Sequence, residues 1–448
     1  MTWNNRDTDG VSQLTELMSH EQTYEPEAVA PEVRRSRRRR GLIVTAVVVV
    51  AVLGLTTGYV AWASNAAVGA ASSTSEVPQV APGPPAAIAM SPEGASMISV
   101  SGAEEYLPAE TSGNWMASGG DEPRSIASIT KLITAMVILS VKPLSGADDP
   151  GPNITFSKAD HALYDKYYVL GATIAPMPTG ITMSQHQALE AMLIPSASNY
   201  AEAMANWAFG SQSAFRAAAR DWLAANGMTS TTIVDPTGID PANTSTPTDM
   251  MTLARLAVAN PAIVQIVAKP TLAIPGIDQL ANTNDLLGTG GVDGLKTGTL
   301  NDSSNLLFTA KLPVGLDEPL SVTGVVLGGF SHESVNLDVT ALLSSIAVGF
   351  HDVPVATDGQ VIGEYTTPWG ESAQMVVNGD ASIFTWSDTP ITADLETVPL
   401  TTGKKGDEVG SLTFTAGPQT TTVPVVLDGS ISPPHQWWRL THPFELGE

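Results

Sequence analysis

The longest apolar stretch of the chain covers residues 41–63 and contains no charged side chain. About 20 such residues are enough to cross a bilayer as one helix. A cluster of arginines precedes the stretch, at positions 34, 35, 37, 38, 39 and 40, and no Lys or Arg follows before Arg124. This asymmetry predicts a transmembrane helix with a cytoplasmic N-terminus. A cleaved signal peptide is the alternative, because Ala61-Trp62-Ala63 resembles a cleavage site; the long stretch and long preceding tail favour an uncleaved anchor.

The segments that follow differ in composition and in hydrophobic pattern. Residues 64–86 consist mainly of Ala, Ser, Pro and Gly, which predicts a flexible linker. Residues 87–100 alternate between apolar and small side chains, as expected for a strand. Residues 128–141 are apolar on nearly every side, which is typical of a buried helix.

Helical and strand patterns then occur without strict alternation, which predicts an α+β fold with a sheet covered by helices. From about Val353, short Val- and Thr-rich runs separated by Gly, Asp and Pro predict a small all-β domain. We expect core packing for Trp437 and Trp438 near its end. The predicted helices cover residues 185–209, 212–226, 249–267 and 336–348, and the predicted strands cover 305–310 and 320–327.

The predicted organisation has five parts. They are a cytoplasmic tail (1–40), a transmembrane helix (41–63), a linker (64–86), a catalytic domain (87–352) and a C-terminal β domain (353–448).

Composition excludes several kinds of chemistry. The chain has no cysteine, so disulfides, thiolate metal sites and a cysteine nucleophile are all excluded. Its formal net charge of −24 argues against nucleic acid as a partner. The arginine cluster next to the apolar stretch is better explained as a topology signal.

Three short motifs carry the candidate chemistry. They are Ser128-Ile129-Thr130-Lys131, Ser196-Ala197-Ser198-Asn199 and Lys296-Thr297-Gly298-Thr299. On a helix, positions three apart share a face, so Lys131 can reach the Ser128 oxygen. A lysine beside a serine is one way of activating the serine as a nucleophile. Each motif alone has a structural alternative, such as a helix N-cap for Ser128 and a solvated Lys131, but their order is that of penicillin-interacting serine acyl-transfer enzymes.

The flanks of the motifs strengthen this interpretation. Segments 192–196, 282–284 and 292–298 surround the second and third motifs, and Asp235-Pro236-Thr237-Gly238 lies between them. With these flanks, residues 87–350 resemble the D-alanyl-D-alanine carboxypeptidases, the S11-type low-molecular-mass penicillin-binding proteins. The resemblance implies a transpeptidase-like fold and a peptidoglycan stem peptide ending in D-Ala-D-Ala as substrate. It also implies covalent inhibition by β-lactams and no metal or organic cofactor.

The resemblance also implies roles for individual residues. Ser128 is the expected nucleophile, Lys131 its base and Ser196 the proton shuttle to the departing D-alanine. Lys296, with Thr297, Gly298 and Thr299, is expected to bind the substrate, and the N–H groups of Ser128 and Thr299 to hold the oxyanion. Lys131 must be neutral near pH 7, which requires a lowered pKa, at a cost of roughly 4 kcal/mol; burial and the Lys296 cation can supply this.

One position departs from the family pattern. The second motif of the family is S-x-N, whereas this chain has Ser198 at the third position and Asn199 after it. Ser198 is shorter and offers no amide, so Asn199 is a candidate for the missing role. The departure raises an alternative function, a catalytically impaired relative that binds cell-wall peptides as a scaffold. A class A β-lactamase is a second alternative, but residues 196–296 offer no convincing glutamate loop to activate a deacylating water.

Overall fold

A computed structural model describes residues 31–108, 113–274 and 278–447. Most of the predicted cytoplasmic tail, residues 1–30, lies outside the described residues. In chain order the helices are α1 (Pro31–Asn65), α2 (Thr130–Val141), α3 (Lys158–Val169), α4 (Gln185–Leu193), α5 (Ser198–Phe209), α6 (Gln212–Ala225), α7 (Pro247–Val258), α8 (Pro261–Val267), α9 (His332–Gly349) and α10 (Gln436–Thr441). Short 3-10 turns cover Ala127–Ile129 and Pro443–Glu445.

The strands follow the same order. They are β1 (Ser72–Ser75), β2 (Ala95–Ser101), β3 (Met116–Ser118), β4 (Arg124–Ser125), β5 (Asn153–Thr155), β6 (Thr182–Ser184), β7 (Thr244–Ser245), β8 (Thr271–Leu272), β9 (Leu280–Ala281), β10 (Val292–Leu300), β11 (Ser303–Leu312), β12 (Leu320–Gly329), β13 (Phe350–Ala356), β14 (Val361–Thr366), β15 (Ser372–Val377), β16 (Ala381–Trp386), β17 (Thr392–Thr397), β18 (Glu408–Ala416) and β19 (Gln419–Leu427).

A five-stranded antiparallel sheet, in the order β10-β11-β12-β2-β3, forms the centre of the first domain. Successive side chains of a strand point to opposite faces, and β11 shows this clearly. Leu307 packs into the core around α2, whereas Phe308 packs into the core that includes α9. Helices therefore cover both faces of the sheet, which confirms the predicted α+β class. Strand β10 lies at the edge of the sheet, beside the turn that carries Ser128.

The prediction of one helix over residues 185–209 is wrong in one respect, because the structure has two helices there. Helix α4 ends at Leu193, α5 begins at Ser198, and Ser196 between them has a left-handed φ of 62°. The segment is rich in helix-forming residues apart from Pro195, which has no N–H group to continue the helical hydrogen bonds. The break places the second motif in a turn.

The helix predicted over residues 249–267 is also two helices. Helices α7 and α8 are bent by 101° relative to each other. Pro261 is the first residue of α8, and the Asn260 side chain accepts hydrogen bonds from the N–H groups of Ala262 and Ile263. Because proline is favoured at the first helical position but not within a helix, the chain turns here.

The C-terminal part is all-β up to α10, with a six-stranded sheet in the order β1-β14-β15-β19-β18-β17 and a β13-β16 pair. Strand β1 comes from the predicted linker. It pairs with β14 from Ser72 opposite Thr366 to Ser75 opposite Gly363. The predicted flexible linker is therefore partly an edge strand, because its Ser and Thr residues pair with the otherwise unpaired edge of β14. The boundaries of the domains stay a prediction.

Helix α1 contains the apolar stretch, and its Arg38–Asn65 part is long and apolar enough to cross a membrane. The two tryptophans for which we expected core packing differ: Trp438 is buried, whereas Trp437 is exposed.

Candidate active site

Ser128 lies in the 3-10 turn immediately before α2, one helical turn from Lys131. The Lys131 Nζ atom is 2.9 Å from Ser128 Oγ and donates a hydrogen bond of 2.7 Å to the Thr237 carbonyl. Lys131 is almost completely buried, as is Lys296. The sequence spacing therefore produces the expected contact, and the Thr237 carbonyl fixes the amine in place.

Burial changes the protonation of the Lys131 amine. It lowers the pKa of Lys131 to about 7, although the negative charge of Asp235 acts in the opposite direction. Desolvation disfavours the charged form of a lysine, and no carboxylate contacts this amine directly among the hydrogen bonds of the described residues. A substantial fraction of Lys131 is thus neutral at neutral pH, which a general base requires.

The Thr237 carbonyl is positioned by a compact turn that follows Asp235. One Asp235 carboxylate oxygen accepts hydrogen bonds from the Thr237 N–H, the Thr237 hydroxyl and the Gly238 N–H. Gly238 has a φ of 81°, and a Cβ at this position would lie 1.9 Å from the Ala127 carbonyl oxygen. The sequence analysis quoted this segment without a role; its Asp and Gly are typical turn residues.

The third motif lies on edge strand β10, against the nucleophile turn. A Cβ on Gly298 would be 2.6 Å from the Ile126 carbonyl oxygen and 3.2 Å from the Ser128 nitrogen. This close approach of two backbones requires glycine. It brings the Lys296-Thr297-Gly298-Thr299 strand beside Ser128.

Lys296 is held by hydroxyl groups. Its Nζ donates to Thr283 Oγ1 at 3.1 Å and to Thr297 Oγ1 at 3.4 Å. Burial and the positive charge of Lys131 hold the pKa of Lys296 well below its usual range. Two buried amines with few counter-charges favour an anionic ligand, because an anion would stabilise their charged forms.

The second motif contributes in an unexpected way. Ser198 lines the cleft, whereas the Ser196 hydroxyl is buried and has no hydrogen-bond partner in the described part of the chain. The turn that carries Ser196 is tied to the Lys296 region, since the Thr283 N–H donates to the Ile194 carbonyl at 3.2 Å. Ser196 is therefore placed in the turn beside the third motif, and Ser198 faces the cleft.

We considered Asn199 as a replacement for the asparagine of the family's second motif. The structure places its side chain elsewhere. Its side chain is fully buried and bonds to Ala175 at both ends. Oδ1 accepts from the Ala175 N–H at 3.1 Å, and Nδ2 donates to the Ala175 carbonyl at 2.8 Å. The Ser198 N–H also donates to the Thr173 carbonyl at 2.8 Å. These bonds hold the segment that forms one wall of the cleft.

The resulting cleft has a volume of about 370 Å³. Its lining includes Ser128, Lys131, Ser198, Thr237 and Thr299. Residues 170–173 and 300–301 complete the walls, and the sequence analysis named neither. No local signal marks these residues, because they come together only through the fold.

His332 is a further residue that the sequence analysis missed. It is the first residue of α9, and its Nε2 forms a short hydrogen bond with the Thr299 hydroxyl. Burial lowers the pKa of His332; the charge of Lys296 acts in the same direction and that of Asp285 in the opposite one. A neutral imidazole thus contacts the end of the third motif.

Comparisons with known proteins identify the family of this chain. A family model described as D-alanyl-D-alanine carboxypeptidase matches residues 107–330, which is half of the chain. The chain belongs to this family. The expected resemblance is confirmed, and with it the enzyme class of serine-type D-Ala-D-Ala carboxypeptidases. Enzymes of this family act on peptidoglycan peptides ending in D-Ala-D-Ala and bind β-lactams.

Solved structures show the same penicillin-binding-protein fold. Penicillin binding protein 5 from Haemophilus influenzae is 17% identical, with a TM-score of 0.50 and coverage of 77% of this chain and 98% of that one. The D-alanyl-D-alanine carboxypeptidase DacD from Francisella tularensis is 19% identical, with a TM-score of 0.50 and coverage of 78% and 96%. A peptidoglycan synthesis regulatory factor from Streptococcus pneumoniae is 21% identical, with a TM-score of 0.50 and coverage of 77% and 100%. No match is found among curated protein sequences.

Proposed function

We propose that this carboxypeptidase removes the terminal D-alanine of peptidoglycan stem peptides through an acyl-enzyme on Ser128. The contact of 2.9 Å between Lys131 Nζ and Ser128 Oγ carries the proposal. The lowered pKa of Lys131, about 7, makes the neutral amine available. Because the amine also donates one hydrogen to the Thr237 carbonyl, its lone pair can point to the serine hydroxyl.

In the acylation step, Lys131 accepts the Ser128 proton while Oγ attacks the carbonyl carbon of the D-Ala-D-Ala bond. The carbonyl oxygen becomes an oxyanion, and the backbone N–H groups of Ser128 and Thr299 stabilise it. The C–N bond then breaks, and the leaving amine takes a proton that originates from Lys131. We assign the transfer of this proton to Ser196, whose buried hydroxyl lacks another partner in the described residues.

Lys296 binds the carboxylate of the departing D-alanine. Burial and the charge of Lys131 hold the pKa of Lys296 well below its usual range. An incoming carboxylate reverses this effect, since an adjacent anion favours the ammonium form. The hydroxyl groups of Thr283 and Thr297, 2.6 Å from each other, hold the amine in place.

Deacylation completes the reaction. A water molecule attacks the ester carbonyl, loses its proton to neutral Lys131, and forms the new carboxylic acid as the bond to Ser128 Oγ breaks. The serine recovers its proton, and a pentapeptide stem has become a tetrapeptide plus D-alanine. None of these steps uses a cofactor.

We further propose that α1 spans the cytoplasmic membrane, with the N-terminus in the cytoplasm and the catalytic domain outside. The arginines before residue 41 support this orientation. The 35-residue length of α1 and its exposed apolar side chains support membrane insertion.

The reaction is tested by mass spectrometry of a synthetic stem pentapeptide incubated with the protein. We expect loss of one alanine, and we expect fluorescent penicillin to label the wild-type protein but not the Ser128→Ala variant. Ser140→Ala is the matched control, because Ser140 lies on α2 with its hydroxyl on the Val137 carbonyl. Labelling that persists in Ser128→Ala would show that another residue is the nucleophile.

A second candidate function is the binding of stem peptides by a protein with impaired carboxypeptidase activity. Ser198 at the cleft and the engagement of the Asn199 amide with Ala175 favour it, because no amide from this motif is then free for substrate. In that case penicillin labels the protein, but the pentapeptide is not shortened. Restoration of product by Ser198→Asn would identify the missing amide as the cause.

A further inference from the structure

The outer end of α1 is covered by the C-terminal segment of the chain. Ala63 is fully buried against Trp438 and Leu446, which are also buried. The Tyr59 hydroxyl donates a hydrogen bond of 2.7 Å to the Leu440 carbonyl. The end of α1 and the C-terminal segment therefore form one small core.

Arg439 fastens this core. Its Nη1 donates to the Ala63 carbonyl at 3.3 Å and to the Ala66 carbonyl at 2.7 Å. Carbonyl groups at the C-terminus of a helix have no partner within the helix, and a cation is favourable there. A backbone bridge between Val68 and Leu446, with a bond from the Gly447 N–H to the Ala67 carbonyl, extends the attachment.

The position of this core relative to a membrane follows from helix geometry. An α-helix rises about 1.5 Å per residue, so a hydrocarbon layer of about 30 Å takes about 20 residues. Counted from Gly41, directly after the arginines, the layer ends near Val60. The core around Ala63 then lies in the outer polar region of the bilayer.

Large aromatic side chains surround this core and face outward. Trp437 is 71% exposed, Phe444 is 95% exposed and Trp62 is 47% exposed. Large aromatic residues exposed together are unusual on a soluble surface, whereas tryptophan is enriched where a bilayer meets water. Trp62 lies on α1 itself, where apolar side chains such as Leu53 are also exposed.

We propose that Trp62, Trp437 and Phe444 form an interfacial patch that inserts into the outer headgroup region of the bilayer. The C-terminal segment is thus a second, peripheral membrane contact, and Arg439 locks it to α1. This inference rests on the membrane anchoring and orientation proposed above. Its consequence is that the β domain sits directly on the membrane, at a fixed height, instead of moving on a loose tether.

The nature of the contact is apolar. The chain carries a formal charge of −24, so attraction to anionic lipids does not explain binding. We therefore expect insertion into a purely zwitterionic bilayer, with little dependence on salt.

The test uses the full chain in phosphatidylcholine nanodiscs, with an excess of empty discs so that each disc holds one copy. The natural chain has no cysteine, so a single introduced cysteine carries a unique environment-sensitive dye. The variants are Trp437→Cys and Phe444→Cys in the patch, Leu337→Cys as an exposed control on α9, and Leu53→Cys within the span. Quenchers are lipids labelled near the headgroup, lipids labelled deep in the acyl chain, and aqueous iodide.

We expect the dyes at 437 and 444 to lose most of their fluorescence to the headgroup-level lipid and little to iodide. The dye at 337 should show the reverse, and the dye at 53 should respond to the deep lipid. If the dyes at 437 and 444 behave like the dye at 337, while the dye at 53 responds to the deep lipid, the interfacial patch is contradicted. The membrane-spanning helix is then still supported. Quenching of 53 by iodide would overturn both.

Discussion

At the scale of single residues, the proposed chemistry depends on the burial of two amines. Lys131 and Lys296 are both almost inaccessible to solvent, and burial is the largest cause of the lowered pKa of each. Burial thereby leaves a substantial fraction of the Lys131 amine neutral, one helical turn from Ser128, and this is what the proposed base requires.

The rate of acylation should depend on the protonation of Lys131. Its pKa is lowered to about 7, and the neutral form is the base, so activity is present above this pH and lost below it. We expect the rate of labelling by fluorescent penicillin to fall about tenfold per pH unit as the pH drops below about 7. A rate that stays constant through the acidic range would contradict the assigned base.

Removal of the amine should affect catalysis more than folding. We expect Lys131→Met to lower the acylation rate at least about 100-fold, the usual contribution of a general base. Its thermal unfolding should be less sensitive to pH above neutrality, because the unfolded wild type binds a proton that the folded protein releases. Lys142→Met, at the exposed end of the same helix, is the control and should change neither property.

His332 should act through Thr299 as a positioning residue. We expect His332→Ala to lower the acylation rate about three- to tenfold, the equivalent of one lost neutral hydrogen bond. His332→Gln, which keeps a polar group in reach, should restore part of the rate. Unchanged kinetics in His332→Ala would show that the Thr299 side chain needs no support.

At the scale of elements, two turns complete the site that helix α2 and strand β10 frame. The turn after Asp235 presents a carbonyl to Lys131, and the break between α4 and α5 presents Ser196 and Ser198. Gly238 is a typical turn residue, whereas the positive φ of Ser196 has no signal in the local sequence.

The turn at Gly238 has a matched control elsewhere in the chain. Gly238 and Gly227 both have positive φ, but only at Gly238 would a Cβ meet backbone atoms, 1.9 Å from the Ala127 oxygen. We expect Gly238→Ala to abolish penicillin labelling and to destabilise the fold by about 1–3 kcal/mol more than Gly227→Ala. Chemical denaturation of both variants provides the measurement; equal stabilities would mean that the nucleophile turn moves away at no cost.

Two substitutions at Ser196 distinguish the effect of its backbone conformation from the effect of its hydroxyl group. Ser196→Gly and Ser196→Ala both remove the hydroxyl, so both should lose the same fraction of pentapeptide turnover. Glycine tolerates the φ of 62°, so the glycine variant should be more stable by about 1 kcal/mol. Full turnover in either variant would exclude Ser196 as the proton shuttle.

At the scale of the whole molecule, the β domain is connected to both helix α1 and the domain that contains the candidate site. Strand β1 extends its six-stranded sheet, and the Ala71 N–H donates to the Leu400 carbonyl at 2.7 Å. Phe350 and Trp386 pack into the same core as α9. The β domain therefore links the C-terminal end of α1 to the sheet that carries the third motif.

The contribution of β1 can be measured in soluble fragments. A fragment that begins at residue 77 lacks β1, whereas one that begins at residue 70 keeps it, and both lack residues 66–68, which contact the C-terminal segment. We expect the shorter fragment to unfold at a lower temperature in calorimetry, because β14 loses its edge partner, while penicillin labelling stays the same. Identical unfolding temperatures would show that β1 adds nothing to the sheet.

The sequence by itself determined what depends on local patterns. The apolar run of α1, the buried helix after Ser128 and the spacing of Ser128 and Lys131 are all readable along the chain, because each involves neighbours on one element. The order of the motifs also identified the family and predicted the fold. These predictions did not need the positions of distant residues.

Tertiary structure decided what depends on distant segments meeting. Four contacts join residues that are far apart in the chain. They are Thr237 with Lys131, His332 with Thr299, Asn199 with Ala175, and the C-terminal segment with α1. The helix breaks themselves coincide with Pro195 and Pro261, which the sequence shows, but the angle between the flanking helices depends on what each helix packs against. Burial, and with it the protonation of both lysines, is a property of the packed molecule, since only surrounding atoms can remove water from an amine.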